Sequence, residues 1–202
     1  MCSIIGYDGE WDQSLVFSLL YNSRIRGLHS FGYSYVSNSN ILEVKKFLDY
    51  DEFCKELSID KPNKFIAHFR YSTSGDYLNL SNNQPLVLNN VSLVFNGVLD
   101  MGSKTEMEQK YKINMSSHND GELALIYKEK SNQYLYDLIK DKSFAGLFMY
   151  NTGKIEILKN KNRPCHFGLI ENTKIVASTK DILLRSGVKK ISSIIENTLV
   201  VL

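Results

Sequence analysis

The chain has 202 residues, 43% of them hydrophobic and 23% charged, which fits one globular domain able to bury a proper core. A formal net charge of +2 with no dense basic stripe disfavours nucleic acid as a partner, and the Lys-Asn-Lys-Asn-Arg run at 159–163 reads as a solvated loop. The N-terminus has no basic segment followed by a long apolar one, and LVFSLLY is too short to span a bilayer, so no membrane association is expected and the location is read as cytoplasmic.

The first predicted element is a short strand, CSIIGY at 2–7, closed by Asp8-Gly9. Asp12 caps a helix through about Asn22, with Leu15 and Leu19 on one face. SFGYSYVS at 30–37 alternates as a strand does, and Tyr50, Phe53, Cys54 and Leu57 stand at helical spacing. FIAHFRY at 65–71 is a strongly apolar strand that delivers Arg70 to its end. STSGDYLNLSNNQP then reads as a long loop, and loops of that length are usually functional or disordered. SLVF at 92–95 is a buried strand running into Asn96-Gly97. A short helical or irregular stretch leads to a helix, GELALIYKEK, behind Asp120, and 133–141 is helical as well. The last third alternates short strands and turns (FAGLFMY, KIEILK, FGLI, KIVAS, NTLVVL) around one helix at 180–186. The pattern implies an α+β plan with sheet packed on sheet and helices in separate groups.

The three cysteines have neither zinc-site nor disulfide spacing, and a reducing compartment is the simplest reading. No metal or cofactor is implied. Cys54 reads as a buried small hydrophobe, while Cys165 fits core or loop. Cys2 is different. With Met1 removed, one residue carries both a thiol and a free α-amine. That amine titrates at about 7.7–8.0, near the pH at which a general base works best. An N-terminal cysteine is thus a nucleophile with its base built in.

Cys2, RGLHSFG at 26–32, HFRYSTSG at 68–75 with NNQPL at 82–86, FNG at 95–97 and SSHNDGE at 116–122 form an ordered set. In that order and at those separations they resemble the class II glutamine amidotransferases. These are N-terminal-nucleophile hydrolase domains that also occur in glucosamine-6-phosphate synthase and the phosphoribosyl pyrophosphate amidotransferase. The stretch LKNKNRPCHFG…KIVAST at 158–179 extends the resemblance across nearly the whole chain. It implies a four-layer αββα sandwich, a single domain over 1–202, and hydrolysis of glutamine to glutamate and ammonia through a Cys2 thioester.

The resemblance also implies roles. Arg70 corresponds to the arginine that clamps the substrate carboxylate, for which a guanidinium fork is suited. Thr73 is a further carboxylate ligand, and Asp120, alternatively a helix N-cap, takes the α-ammonium. The Asn96 side chain and the Gly97 N–H form the oxyanion hole, although Asn-Gly is also the strongest hairpin-turn signal. Arg26, Tyr71 and Ser72 are supporting positions, with Arg26 bonding the Cys2 region or forming a structural salt bridge. His29, His68, His118 and His166 are not needed as bases, and mid-strand His68 reads as a core histidine with its polar atoms satisfied.

Some positions depart from the pattern. Tyr71 stands where glucosamine-6-phosphate synthase has Trp, and Ser74 where it has His. Lys161-Asn162 replace the acidic residue usual before the late Arg-Pro. Because the chain ends where the glutaminase domain itself ends, a separate ammonia-accepting synthase subunit is expected as partner. The alternatives are an amidohydrolase acting on another γ-glutamyl amide, or a non-enzymatic binding subunit with the same fold. The mature protein is expected to lack Met1, because a Cys2 amide nitrogen is no base. Intact mass of the active protein should show the loss of one Met, and full activity in an entirely Met-retained preparation would sink the scheme.

Overall fold

The protein is described by a computed structural model covering residues 1–72 and 75–202. One sheet has the spatial order β11 (Lys190–Ser193), β9 (His166–Ile170), β10 (Thr173–Ala177), β1 (Ser3–Asp8), β4 (Lys64–Arg70), β2 (Ser30–Val36) and β3 (Leu42–Phe47). The other has the order β12 (Val200–Val201), β8 (Ile155–Lys159), β7 (Ser143–Tyr150), β6 (Val91–Val98) and β5 (Leu86–Leu88). Neighbouring strands are antiparallel throughout. Helices α1 (Gln13–Arg24), α2 (Tyr50–Asp60) and α6 (Lys180–Arg185) cover the outer face of the first sheet, and α3 (Lys104–Tyr111), α4 (Gly121–Lys130) and α5 (Asn132–Ile139) serve the second. This is the four-layer αββα sandwich.

The layers follow from period-2 patterning, since successive side chains of a strand point to opposite faces. On β1, Ile5 and Tyr7 join α1 and α2 residues such as Leu19 and Phe53, while Ile4 points between the sheets. On β6, Leu93 and Phe95 pack with Leu123 and Leu135 of the α4–α5 layer, and Val94 points the other way. Both sheets are therefore buried on both faces near their centres, which is why β1 and β4 read as continuous apolar runs rather than alternating ones.

Helix starts obey local chemistry. The Asp12 side chain accepts from Leu15 N at 3.1 Å, and Ser103 with Glu106 forms a reciprocal capping box on α3. Strand β3, LEVKKF, escaped the sequence reading because it is an edge strand, half-buried along its length and charged. Its Lys45 pairs with Glu56 and Asp60 of α2 instead of filling a core.

Two expectations need correction. In the 159–163 run, Lys159 and Asn160 are buried, and only Lys161 and Asn162 are exposed. Lys159 pairs with Glu196 at 3.2 Å, and the Asn160 amide donates to Ile139 O at 2.8 Å and Lys142 O at 3.0 Å. His68 is buried, but neither ring nitrogen has a partner at hydrogen-bond geometry among the described residues. Burial and the Arg70 charge hold its pKa down at about 3, so the ring is neutral. Cys165 lies fully buried between the sheets and its thiol is pushed up to about 12, whereas Cys54 is half-buried against the outer core.

Leu147 on β7 packs onto the bare Cα of Gly6 and fixes how closely the two sheets approach. Leu147→Ala should lower the unfolding free energy by about 2–5 kcal/mol, the range for truncating a buried leucine. Urea melts should show an earlier midpoint at unchanged slope.

Candidate functional site

Strand register brings the chemistry-bearing residues together. Ser3 pairs with Phe69 and Ile4 with His68, so Cys2 sits one step further along, beside Arg70. Ser30 of β2 flanks Arg70 on its other side. By alternation His68 and Arg70 share the inter-sheet face with Ile66. Two contacts fix how the second sheet lies over the first. Ser34 Oγ and Ser92 Oγ are 2.7 Å apart, with Ser34 opposite Ile66, and the Phe95 backbone lies beside His68. Moving along β6 from Ser92 thus parallels moving along β4 from Ile66. Asn96, on the same face of β6 as Val94, comes to the level of Arg70 and Cys2.

Cys2 is held from several sides. Its Sγ donates to the Tyr71 carbonyl oxygen at 3.7 Å, and Arg26 Nε donates to its carbonyl oxygen at 3.0 Å. Burial pushes the thiol up, opposed by the Tyr71 hydrogen bond and the charges of the N-terminus, Arg70 and Arg26. Arg26 arrives there because the chain turns tightly after α1, with His29 N donating to Arg70 O at 3.0 Å. His29 Nδ1 accepts from Ser72 N at 2.8 Å, and its ring stacks with Tyr71 at 5.0 Å and Tyr77 at 4.9 Å. Sequence reasoning passed over this orienting role because a histidine in RGLHS carries no periodic signal.

Arg70, only 4% exposed, is the hub of the loop that follows it. Nη1 donates to Asn82 O at 2.9 Å and to Asn83 Oδ1, and Nη2 to Gly75 O at 3.4 Å. The loop ties itself down further. Asn82 Nδ2 donates to Asp76 O at 3.0 Å, and Asn83 Nδ2 to Tyr77 O at 2.7 Å. Asn119 Nδ2 donates to the same Asn82 carbonyl at 2.9 Å, and His118 N to Asn82 Oδ1 at 2.9 Å. The sequence-predicted Thr73 lies outside the described residues, as does Ser74.

Asp120 stands at the N-cap position of α4, yet its side chain does not cap the helix. Its Oδ2 accepts from Leu99 N at 2.6 Å and Asp100 N at 3.1 Å, clamping the end of β6 to the start of α4. Burial raises its pKa, against the pull of those amides. Glu122, unnoticed in the sequence, accepts from the backbone and hydroxyls of both Ser116 and Ser117 at 2.6–2.9 Å. The Ser-Ser pair six and five residues before a glutamate was the available signal.

Asn96 and Gly97 do not form a hairpin turn. They lie inside β6, opposite Ala145 and Phe144 of β7. A Cβ at Gly97 would collide with the Ser143 carbonyl oxygen, so only glycine fits this approach. Asn96 is 2% exposed, and its Nδ2 has no hydrogen-bond partner among the described residues. A buried unpaired donor costs about 1–3 kcal/mol, so one kept inside the fold asks for an explanation. Among the described residues, no three His, Cys, Asp or Glu side chains converge as a metal site, and no helix is long and apolar enough to cross a membrane. The groups at this end of the two sheets are a thiol, a buried amide donor, a buried cation and a buried carboxylate, a set whose chemistry is compatible with acyl transfer on a zwitterionic amide.

Solved structures share this architecture. Glutamine phosphoribosylpyrophosphate amidotransferase from B. subtilis superposes with a TM-score of 0.78 at 20% identity, covering 99% of this chain and 47% of that one. A structure described as the allosteric regulatory enzyme of purine biosynthesis gives 0.79 at 21% identity, covering 99% and 46%. A glutamine aminotransferase class-II domain protein from Silicibacter pomeroyi gives 0.63 at 9% identity, covering 99% and 94%. The chain spans about half the length of the first two. No protein-family model and no curated protein sequence matches it. The likeness is one of fold, shared with a phosphoribosylpyrophosphate amidotransferase and with a glutamine aminotransferase class-II domain protein.

Glu122→Gln keeps the shape but turns an NH2 group toward donors. It should destabilise the protein by about 3 kcal/mol, since hydrogen bonds to a charged group are worth about 1.5–3 kcal/mol each. Chemical melts of the two forms measure this, and indistinguishable midpoints would refute the assignment of Glu122 as the loop's anchor.

Proposed function

We propose that the chain is a glutamine amidohydrolase domain with Cys2 as nucleophile, working once Met1 is gone. The observation that carries this reading is the buried Asn96 amide, whose Nδ2 has no hydrogen-bond partner among the described residues, on the inter-sheet face that Arg70 also shares. An empty donor of this kind suits an oxygen that becomes negative only during reaction.

In the proposed reaction the α-amine takes the Cys2 proton as Sγ bonds to the glutamine Cδ. Asn96 Nδ2 and Gly97 N–H stabilise the resulting oxyanion. The proton passes to the departing nitrogen as the C–N bond breaks, releasing ammonia and leaving a glutamyl thioester. Water then adds to the thioester, expelling the thiol and giving glutamate. Arg70 holds the substrate α-carboxylate, exchanging its long contact with Gly75 O for a charged partner. Asp120 receives the α-ammonium, and the incoming charge offsets the burial that raises its pKa. Thr73 adds a carboxylate contact. Tyr71 fixes the thiol through its carbonyl, and Ser72 ties the loop to His29.

The released ammonia is passed to an acceptor-binding synthase unit on another polypeptide or segment. The support is analogy alone: two of the similar structures are about twice as long as this chain, and one bears the name of an amidotransferase.

The test is a glutamine-mimicking diazoketone with intact-mass and peptide mapping, alongside steady-state ammonia release. One label per chain on Cys2, in protein lacking Met1, is expected. Cys54→Ala and Cys165→Ala should leave turnover intact. Asn96→Ala should lower kcat by about 100- to 1000-fold with KM nearly unchanged, the usual loss for one oxyanion-hole donor. A label on Cys54 or Cys165, or a rise in KM without loss of kcat in Asn96→Ala, would overturn the assignment.

A further inference from the structure

The N-terminal end of β1 is ringed by positive charge. Arg26 reaches it from the turn after α1, its Nε on the Cys2 carbonyl oxygen at 3.0 Å. Arg163 reaches it from the turn between β8 and β9. Its Nη1 lies 3.8 Å from Met1 Sδ, the sulfur that Arg26 Nη2 also approaches at 3.8 Å. Arg70 stands beside the thiol on β4 and acts on it electrostatically. Neither Arg26 nor Arg163 is within ion-pair distance of a carboxylate among the described residues. The Arg163 Nε is buried without a hydrogen-bond partner among them. Lys161 and Asn162 precede Arg163, so no carboxylate of its own turn neutralises it.

Resting on the reading that Cys2 is the working N-terminus, we propose that Arg163, together with Arg26, keeps the Cys2 α-amine neutral at the pH where it must accept the thiol proton. Bond lengths place that nitrogen within about 4 Å of the carbonyl oxygen Arg26 holds and within about 10 Å of the Arg163 head. At such separations in a partly buried setting, like charges interact appreciably. They disfavour the protonated amine and so lower its pKa. The other groups around Cys2 do not cancel this. The thiol is held up by burial, Asp76 and Asp120 act on Arg70, Lys159 is paired with Glu196, and His29 Nδ1 is engaged by Ser72. Arg163 touches no substrate in this scheme. It is a positioning residue that acts through the amine.

The sign is testable. Removing the Arg163 charge raises the amine pKa, so the acidic limb of the kcat/KM profile moves to higher pH. In Met1-less protein, Arg163→Gln should shift that limb up by roughly one pH unit, a drop of about 10-fold at pH 6, with the alkaline plateau unchanged. Competitive acetylation of the α-amine by acetic anhydride, read on the N-terminal peptide, should show the same shift without depending on turnover. Arg163→Lys should restore both curves, and Lys161→Gln, removing an exposed charge, should leave both in place. Overlaying labelling curves for wild type and Arg163→Gln would overturn the inference, as would a loss at all pH values with the labelling midpoint unmoved. Should the wild-type Met1-less protein release no ammonia at any pH, the glutaminase reading falls, while the labelling midpoint still decides the role of Arg163.

Discussion

A buried guanidinium is the constraint on which this end of the molecule depends. Arg70 cannot lose its proton at any ordinary pH, and an unsolvated charge without acceptors is expensive. The chain meets that demand by folding residues 75–83 back over the end of β4, so that Gly75, Asn82 and Asn83 present oxygens to it. The same Asn82 carbonyl receives Asn119, and His118 binds the Asn82 side chain. From there Glu122 secures Ser116 and Ser117, and Asp120 secures Leu99 and Asp100. One cation thus organises a polar web running from the first sheet, across a loop, to the second sheet and its helix layer. Neutralising it would leave inward-facing carbonyls with nothing to bind.

Against that well-satisfied web stand several polar groups without a hydrogen-bond partner among the described residues, the Asn96 amide and the His68 ring among them. These two lie on facing strands between the sheets, where the other half of the interlayer is filled by Ile4, Val94, Leu147 and Val176. The contrast separates groups that tie the loop and the strand ends together from groups that take no part in the web. Satisfied polar atoms rigidify, whereas an unsatisfied one is tolerated where the surroundings over-determine its position.

The sequence reading recovered most of the strands and helices because the buried ones carry strong apolar patterning, as in FIAHFRY and SIIGY. It failed where polarity masks structure. Strand β3 stabilises itself through Lys45 and its two carboxylates rather than through a core, and β5 spans only Leu86–Leu88. Helix α3 buries only Met107, so no amphipathic stripe marked it in the sequence. At the site, Cys2, Arg26, Arg70, Asn96, Gly97 and Asp120 could be picked out because the ordered set of motifs that holds them resembles the class II glutamine amidotransferases. Their supports could not, because the value of His29, Asn82 and Glu122 lies in hydrogen bonds to backbone far along the chain. Asn96-Gly97 shows the limit of local signals. A dipeptide that favours a turn in isolation sits inside β6, where the close approach of Ser143 requires the glycine.

The position of β1 also has a kinetic consequence. It is a central strand, with β4 on one side and β10 on the other. The Ile4 amide is held by the Ser178 hydroxyl, a partner 174 positions away, and Ser178 N returns a bond to Ile4 O. During synthesis from the N-terminus, β1 can find β4 early, but its other edge stays open until β10 has emerged. Contacts so distant in sequence close late, since loop closure must precede their reward. For most of translation the outer edge of β1 therefore stays unpaired, and the strand that begins beside Cys2 is set in place only when the last third of the chain has emerged, while Met1 itself stays 61% exposed in the finished fold.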